Sequence, residues 1–138
     1  MKALVLRADS FGTEEIPTPI PSKDQVLIKV HTAALNRRDQ WIREGKYAKI
    51  QLPAVLGSDG FGTVAQVGDT SQNHWLGKKV VINPNINWGS NPEFQSKDFQ
   101  ILGMPTYGTL AEYVLVGADR IHPVPEHLDE NEAAALPL

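Results

Sequence analysis

Two neighbouring segments decide how this chain folds. Residues 34–47 read Ala-Leu-Asn-Arg-Arg-Asp-Gln-Trp-Ile-Arg-Glu-Gly-Lys-Tyr, and residues 52–68 read Leu-Pro-Ala-Val-Leu-Gly-Ser-Asp-Gly-Phe-Gly-Thr-Val-Ala-Gln-Val-Gly. Asn36 is a good N-cap residue and Gly45 a natural helix terminator, so a short helix is predicted between them. The first glycines of the second segment favour a tight corner, and the apolar residues that follow favour a strand. Polar residues lie where the chain bends, which predicts a site on a β scaffold.

Short strands dominate the rest of the pattern. The clearest alternation places Val26, Ile28 and Val30 on one face of a strand and polar residues on the other. Strands do not alternate with long helices, which favours a barrel or sandwich over a doubly wound sheet. The predicted strands are residues 2–8, 25–33, 60–67, 78–82, 111–116 and 121–124, and the predicted helix is residues 36–44.

Two further segments carry predictions of their own. Residues 83–108 are dense in Asn, Pro, Gly and Ser, and so long a loop is interpreted as an ordered surface lobe or as a functional insertion. Asp129 and Glu132 have the spacing of a capping box, and an apolar helical run follows from Ala133. Because two turns alone make a marginal helix, we expect the chain to be a fragment of a longer polypeptide.

Composition excludes several classes of function. The 138 residues fit one domain, and 41% of them are apolar. A net charge of −3 with scattered basic residues gives no footprint for nucleic acid or an anionic membrane. The absence of cysteine excludes disulfides, thiol catalysis and Cys-built zinc sites. No apolar run approaches the roughly 18 residues of a membrane span, so a cytoplasmic location is expected.

Neither the histidines nor the glycines of this chain form a recognisable motif. The four histidines lack the spacing of a helical metal site and have no cysteine to assist them, so structural or surface roles are favoured. The glycines of residues 57–62 have the order G-x-x-G-x-G and precede a strand. A dinucleotide loop would follow a strand and open a helix, so these residues predict a corner instead.

The polar side chains of the first segment remain as candidates for a site. Asn36 can cap the helix, present its amide to a ligand in a cleft, or do both. Trp41 and Ile42 are interpreted as packing on one helix face, and Tyr47 as either half-buried filler or a hydrogen-bond donor. Asp39 can form an acid pair with the aspartate at position 59 only if the fold brings the two together. The residues alone therefore predict a polar site and no particular reaction.

Several motifs in one order carry a resemblance to a known family. Most of the chain resembles the N-terminal, GroES-like catalytic domain of the medium-chain dehydrogenase/reductases. The motifs are Pro-x-Pro-x-Pro, Val-Leu-Ile-Lys-Val, Leu-Pro-Ala-Val-Leu-Gly, Gly-x-Val-x-x-Val-Gly, Gly-Lys-Lys-Val, Gly-Thr-Leu-Ala-Glu-Tyr-Val and Glu-Ala-Ala-Ala-Leu-Pro-Leu. The resemblance implies one domain over residues 1–138, mainly β with a few short helices and built as a partly open β-barrel. It also implies that an NADP-binding Rossmann domain follows.

The chain departs from the zinc-dependent members of that family at each ligand position. Those members carry Cys where this chain has Asn36, and His-Glu where it has Ser58 and Asp59. Their structural zinc lobe has four cysteines, whereas residues 83–108 have none. The chain is therefore similar to the quinone oxidoreductase branch, which tends to carry Asn and Tyr at the positions of Asn36 and Tyr47. No zinc is expected.

The resemblance implies a reaction as well as a fold. Without a Lewis acid, a suitable acceptor delocalises its own negative charge, as a quinone or an α,β-unsaturated carbonyl does. NADPH would supply the hydride. Asn36 and Tyr47 are the implied catalytic residues, Asn36 and Trp41 the implied cofactor contacts, and Ser58 and Asp59 the implied lining of the substrate cleft. The full-length protein would be a homodimer, while residues 1–138 alone would bind NADPH weakly and have little reductase activity.

Two alternatives remain open at this point. One is an alcohol dehydrogenase-like enzyme that holds a metal through atypical ligands such as Asp39 and Asp59, and elemental analysis would distinguish it. The other is a non-catalytic GroES-like module that binds a partner. A strand followed by a Gly-rich turn and a helix within about 60 residues downstream would favour an enzyme.

Overall fold

The computed structural model describes residues 1–137 and consists mainly of short strands. In chain order the elements of this part are β1 (Lys2–Leu6), β2 (Phe11–Glu15), β3 (Gln25–Ala34), α1 (Arg37–Arg43), β4 (Ala54–Val55), β5 (Asp59–Val67), β6 (Lys79–Ile82), β7 (Asn85–Ile86), β8 (Gln100–Ile101), β9 (Tyr113–Gly117), β10 (Ile121–Pro123) and α2 (Glu130–Ala135). Single 3₁₀ segments lie at Thr70–Trp75 and Ala118–Arg120.

The strands of the described residues form antiparallel sheets. The largest sheet has the order β10-β6-β5-β3-β9, a second has the order β2-β1-β4, and β7 pairs with β8. A bridge between Ala3 and Ala111 links β1 to the chain just before β9. The mainly β prediction is confirmed, and the sheets are not closed into a barrel.

Alternating apolar residues hold the large sheet together. Val26 and Ile28 of β3 are fully buried, and they face Val64, Val80 and Val114 in one apolar cluster. Burying each of these side chains contributes about 1.5–3 kcal/mol relative to leaving it exposed. Strand β3 pairs with β5 on one side and β9 on the other. The strand that the sequence predicts most clearly is therefore an interior strand of the sheet, hydrogen-bonded on both sides.

Helix α2 is capped and packed as its sequence predicts. The Asp129 carboxylate accepts hydrogen bonds from the backbone N–H groups of Asn131 and Glu132, and Glu132 Oε2 accepts one from the Asp129 N–H. Ala133 and Ala134 are fully buried in a cluster with two side chains of the large sheet, Phe61 and Val81. The first turn is tied to β6, where a hydrogen bond from Lys79 lowers the pKa of Glu130.

All six predicted strands and the predicted helix are present, with ends shifted by up to two residues. No strand was predicted at β2, because it carries Gly12, Thr13 and two glutamates on the edge of its sheet. Strands β4, β7 and β8 were not predicted either, because each has only two residues and is defined by a distant partner strand. Neither described helix has the length and apolar character needed to cross a bilayer.

Residues 83–108 form an ordered lobe, as one of the two interpretations predicted. The pair β7–β8 lies at its base. Farther out, Ser96 Oγ donates to the Asn87 carbonyl over 2.7 Å, and the rings of Trp88 and Phe99 meet edge to face with centroids 5.3 Å apart. The lobe therefore has its own internal contacts, and Leu102 and Met104 at its base are buried in apolar clusters of the domain.

Candidate active site

The N-terminus of α1 meets the glycine corner that leads into β5. Asn36 is the N-cap of the helix, with an extended backbone at φ −112° and ψ 153°. Asp39, at the third helical position, accepts from the Asn36 N–H through Oδ2 and from the Gly57 N–H through Oδ1, both over 2.9 Å. A buried carboxylate at this position suits the positive end of the helix. Asp39 thus fixes the helix to the corner.

A side-chain hydrogen bond joins Asn36 at the start of α1 to Asp59 at the start of β5. Asn36 Nδ2 donates to Asp59 Oδ2 over 2.9 Å. The backbone of Asp59 is held in turn, because the buried Thr109 hydroxyl donates to its carbonyl over 2.7 Å. The Asn36 amide is therefore oriented by a residue 23 positions away in the chain, in addition to marking the start of the helix.

Arg38 is a buried cation at the centre of the site. Its guanidinium donates to the carbonyl oxygens of Leu102 (3.1 Å), Ile101 (3.4 Å) and Met104 (2.8 Å). The same group donates to Ser58 Oγ through Nη1 and to the Tyr47 hydroxyl through Nε, each over 3.3 Å. Among the described residues, no carboxylate forms an ion pair with it. Arg38 thus joins α1 to the lobe while its positive charge remains in the site.

Tyr47 and Ser58 are both organised around that guanidinium. The Arg38 Cζ lies 5.1 Å from the centroid of the Tyr47 ring, within the range of a cation–π contact. Ser58 is fully buried, and its hydroxyl donates to the Leu102 carbonyl over 2.9 Å. One side chain therefore sets the positions of two residues that the sequence predicts for the site.

The corner at Gly57 requires glycine. Its φ of +93° lies in the left-handed region, and a Cβ there would approach the Thr109 hydroxyl to 2.5 Å. The left-handed conformation is accessible to glycine without steric cost. In this conformation the Gly57 N–H donates to Asp39, and the next two residues, Ser58 and Asp59, are buried beneath α1.

The structure brings most of the predicted residues together, at different depths. Asn36 and Tyr47 are half-buried at the edge, whereas Ser58 and Asp59 are fully buried beneath them. The latter two position other side chains, and their predicted contact with a substrate stays a prediction. Trp41 does not pack as interpreted: it is 45% exposed, because the face of α1 that turns inward carries Arg38, Asp39 and Ile42.

Sequence reasoning overlooked Arg38, although its guanidinium donates five hydrogen bonds in the site. A signal was present in its spacing, because residues four apart share one face of a helix. Arg38 lies four positions before Ile42, which was recognised as a packing residue and is buried. An arginine aligned with a core residue must therefore find partners inside, whereas its neighbour Arg37 faces solvent.

The side chains at the family's zinc-ligand positions do not fit a zinc ion. The amide of Asn36 and the hydroxyl of Ser58 both act as hydrogen-bond donors here, whereas zinc prefers thiolate and imidazole ligands. Within residues 1–137, no group of three or more His, Asp or Glu side chains converges as a metal site would require. The alternative pairing of Asp39 with Asp59 is disfavoured, since both oxygens of Asp39 accept backbone N–H groups.

Comparison with known proteins identifies the family to which this fold belongs. Residues 22–126 match the family model of the alcohol dehydrogenase GroES-like domain. A zinc-type alcohol dehydrogenase-like protein of Leptosphaeria maculans is 36% identical over 131 residues, which cover 88% of this chain and 37% of that protein. The quinone oxidoreductase of Homo sapiens is 32% identical over 136 residues, covering 98% of this chain and 33% of that protein.

A solved structure gives the same result in three dimensions. An NAD-dependent alcohol dehydrogenase superposes with a TM-score of 0.86 at 36% identity, over all of this chain and 43% of that one. The chain thus spans about a third of the length of the curated relatives it matches. It belongs to the alcohol dehydrogenase GroES-like domain family, within the medium-chain dehydrogenase/reductases.

Asp39→Asn is expected to lower the free energy of unfolding by about 2 kcal/mol. The amide keeps one acceptor oxygen but turns an N–H₂ group toward a backbone donor, so a charge-assisted hydrogen bond is lost in a buried site. Chemical denaturation measures the change. Asp24→Asn removes the same charge at an exposed position and should shift stability by less than about 0.5 kcal/mol. Equal effects of the two changes would show that Asp39 does not hold the corner.

Proposed function

We propose that this chain is the catalytic domain of an NAD(P)H-dependent oxidoreductase that reduces a quinone or an α,β-unsaturated carbonyl without zinc. The proposal rests on the hydrogen bonding of Asn36, Ser58 and Asp59, the three residues at the family's zinc-ligand positions. Asn36 is hydrogen-bonded to Asp59, and Ser58 to a backbone carbonyl. These side chains are hydrogen-bonded to other protein groups and offer a metal neither thiolate nor imidazole.

The chemistry suits an acceptor that spreads its own charge. When bound, the nicotinamide supplies the hydride, and the negative charge that develops on the acceptor oxygen needs positioned donors. The Tyr47 oxygen accepts from Arg38 Nε, which leaves its own proton for the acceptor oxygen. The buried guanidinium of Arg38 adds a fixed positive charge beside that hydroxyl. Asn36, whose amide is oriented by Asp59, lies half-buried at the edge of the site, where the cofactor and the acceptor would meet.

The remaining predicted roles fit the same arrangement. Trp41 is an exposed aromatic in the second turn of α1 and is proposed to contact the cofactor. Ser58 and Asp59 would act mainly by positioning Arg38 and Asn36. NADPH as the preferred cofactor, a homodimeric full-length protein and a cytoplasmic location complete the proposal. Relatives named as a quinone oxidoreductase and as an acryloyl-coenzyme A reductase support the choice of acceptors.

Asn36→Ala in the full-length protein is expected to reduce kcat/KM for an enone on the order of 100-fold. Loss of one positioned donor commonly has an effect of this size. NADPH oxidation measured at 340 nm checks it, with Asn73→Ala as an exposed control that should retain full activity. An unchanged kcat/KM for Asn36→Ala would remove this residue from the mechanism.

Elemental analysis tests the metal-free part of the proposal separately. The full-length enzyme should keep its reductase activity after treatment with a chelator. Stoichiometric zinc that survives the chelator would instead favour the alcohol dehydrogenase-like alternative with atypical ligands.

A further inference from the structure

A cleft opens beside the proposed active site, between the loop that follows α1 and the outer lobe. Its volume is about 430 Å³, and Arg38 and Tyr47 form its inner end. Lys49 borders it on the loop side, and Lys97 and Asp98 border it on the lobe side. The cleft is therefore continuous with the Tyr47 hydroxyl, and its outer walls come from segments that the proposed mechanism does not use.

The charges around the cleft are predominantly positive. Arg38, Lys49 and Lys97 stand against the single carboxylate of Asp98, although the whole chain has a net charge of −3. Within residues 1–137, neither Lys49 nor Lys97 forms an ion pair. A cleft lined with one sign of charge raises the local concentration of ligands of the opposite sign. This positive potential thus opposes the overall charge of the chain and is concentrated at one opening.

The backbone at Lys49 supports a role for that side chain. Lys49 has a φ of +53°, in the left-handed region, which is uncommon for residues other than glycine. Such a conformation is unfavourable for a residue with a side chain, and residues that adopt it cluster at ligand sites. Glycine would be more stable at this position, yet the chain carries a long cation there.

Neutral hydrogen-bond donors line the cleft beside the two lysines. The side chains of Gln51, Gln95 and Gln100 also line the cleft, and each amide can donate to an oxygen anion. All five N–H groups of Arg38 are used on protein acceptors. Arg38 therefore acts on a ligand through its charge, whereas the lysines and glutamines can contact it directly.

We propose that this cleft is an anion subsite, in which Lys49 and Lys97 bind a carboxylate carried by the acceptor. The part concerning the acceptor rests on the proposed function. The enzyme then prefers an enone acid over the corresponding neutral enone. Tyr47 holds the carbonyl end of the molecule, and the two lysines hold the carboxylate end.

Binding is tested on this chain with 4-oxopentanoate and its methyl ester, which differ by one charge and are not reducible enones. Protein NMR titrations should show about five- to tenfold tighter binding of the carboxylate, the size expected of a few partly exposed charge contacts. The shifted amide signals should map to residues 47–51 and 95–100. The preference should shrink at 0.5 M salt, where charges are screened over a few ångströms.

Lys49→Gln with Lys97→Gln should abolish the preference. Lys23→Gln with Lys78→Gln removes the same charge at exposed positions away from the cleft and should preserve it. Equal binding of acid and ester, shifts that map elsewhere, or an equal loss in both double variants would overturn the proposal.

Activity of the full-length protein separates this proposal from the proposed function. The substrates are 4-oxopent-2-enoate and its methyl ester, with NADPH. A lower KM for the acid that depends on Lys49 and Lys97 supports both proposals. If both compounds are reduced with equal KM, the anion subsite is rejected and the proposed function stands. If the carboxylate binds in the cleft but neither enone is reduced, the subsite stands and the proposed function fails.

Discussion

Replacing Arg38 by methionine is expected to lower the free energy of unfolding by about 3 kcal/mol or more. The change leaves the carbonyl oxygens of Ile101, Leu102 and Met104 without their charged donor. Each hydrogen bond to a charged group contributes about 1.5–3 kcal/mol, and part of the loss is offset because a buried cation no longer has to be desolvated. Methionine fills much of the volume, so the effect reports mainly on the lost polar contacts.

The neighbouring arginine supplies a matched control. Arg37 lies on the same helix, is exposed and has no side-chain hydrogen bond in the described part of the chain. Arg37→Met should therefore change stability by less than about 0.5 kcal/mol. Urea denaturation followed by tryptophan fluorescence measures both variants. If the two midpoints shift equally, Arg38 does not have the structural role assigned to it.

The same variant should loosen the base of the lobe. The Leu102 N–H donates to the Pro84 carbonyl over 3.0 Å, and Arg38 holds the Leu102 carbonyl on the other side. Amide hydrogen exchange at Leu102 should become faster in Arg38→Met than expected from the change in global stability. Arg38→Lys should be intermediate, because an ammonium has three donors at one point and no planar fork.

Gly108→Ala is expected to destabilise the domain by at least about 3 kcal/mol. A Cβ at this position would lie 2.0 Å from the Gly57 carbonyl oxygen and 2.6 Å from both the Leu56 carbonyl oxygen and the Gly103 Cα. All three obstacles are backbone atoms, so no side-chain rotation relieves the overlap. Overpacking costs typically 1–3 kcal/mol, and hydrogen bonds are lost as well.

Those hydrogen bonds join the glycine corner to the chain before β9. The Gly108 N–H donates to the Val55 carbonyl over 2.8 Å, and the Thr109 N–H donates to the Gly57 carbonyl over 3.0 Å. Separating residues 108–109 from the glycine corner also moves the Thr109 hydroxyl away from the backbone of Asp59, whose side chain orients Asn36. Loss of stability should therefore be accompanied by loss of reductase activity in the full-length protein.

Gly12→Ala is the control for this substitution. A Cβ at Gly12 meets no heavy atom within 4 Å, so it should be neutral or stabilise the domain by up to about 1 kcal/mol through the unfolded state. Thermal unfolding of both variants by circular dichroism gives the comparison. A Gly108→Ala variant that melts at the same temperature as the wild type would show that residues 108–109 can separate from the glycine corner at little cost.

Local patterns in the sequence determined the scaffold. The alternation of Val26, Ile28 and Val30 specifies a buried strand, because a period of two places successive side chains on opposite faces. The capping residues Asn36 and Asp129 mark the starts of both helices, because a cap acts within three residues of itself. These features need no knowledge of distant parts of the chain, and the structure contains all of them.

Tertiary structure alone decided how the site is assembled. Asn36 meets Asp59 across 23 residues, and Arg38 reaches the Leu102 and Met104 carbonyls across 64 and 66 residues. No local periodicity encodes which distant carbonyl oxygens converge on a buried guanidinium. The sequence therefore determined where polar residues interrupt the β scaffold. The spacing of Arg38 from Ile42 places it on the inward face of α1, but only the packing of α1 against the lobe decided that it lies at the centre of the site.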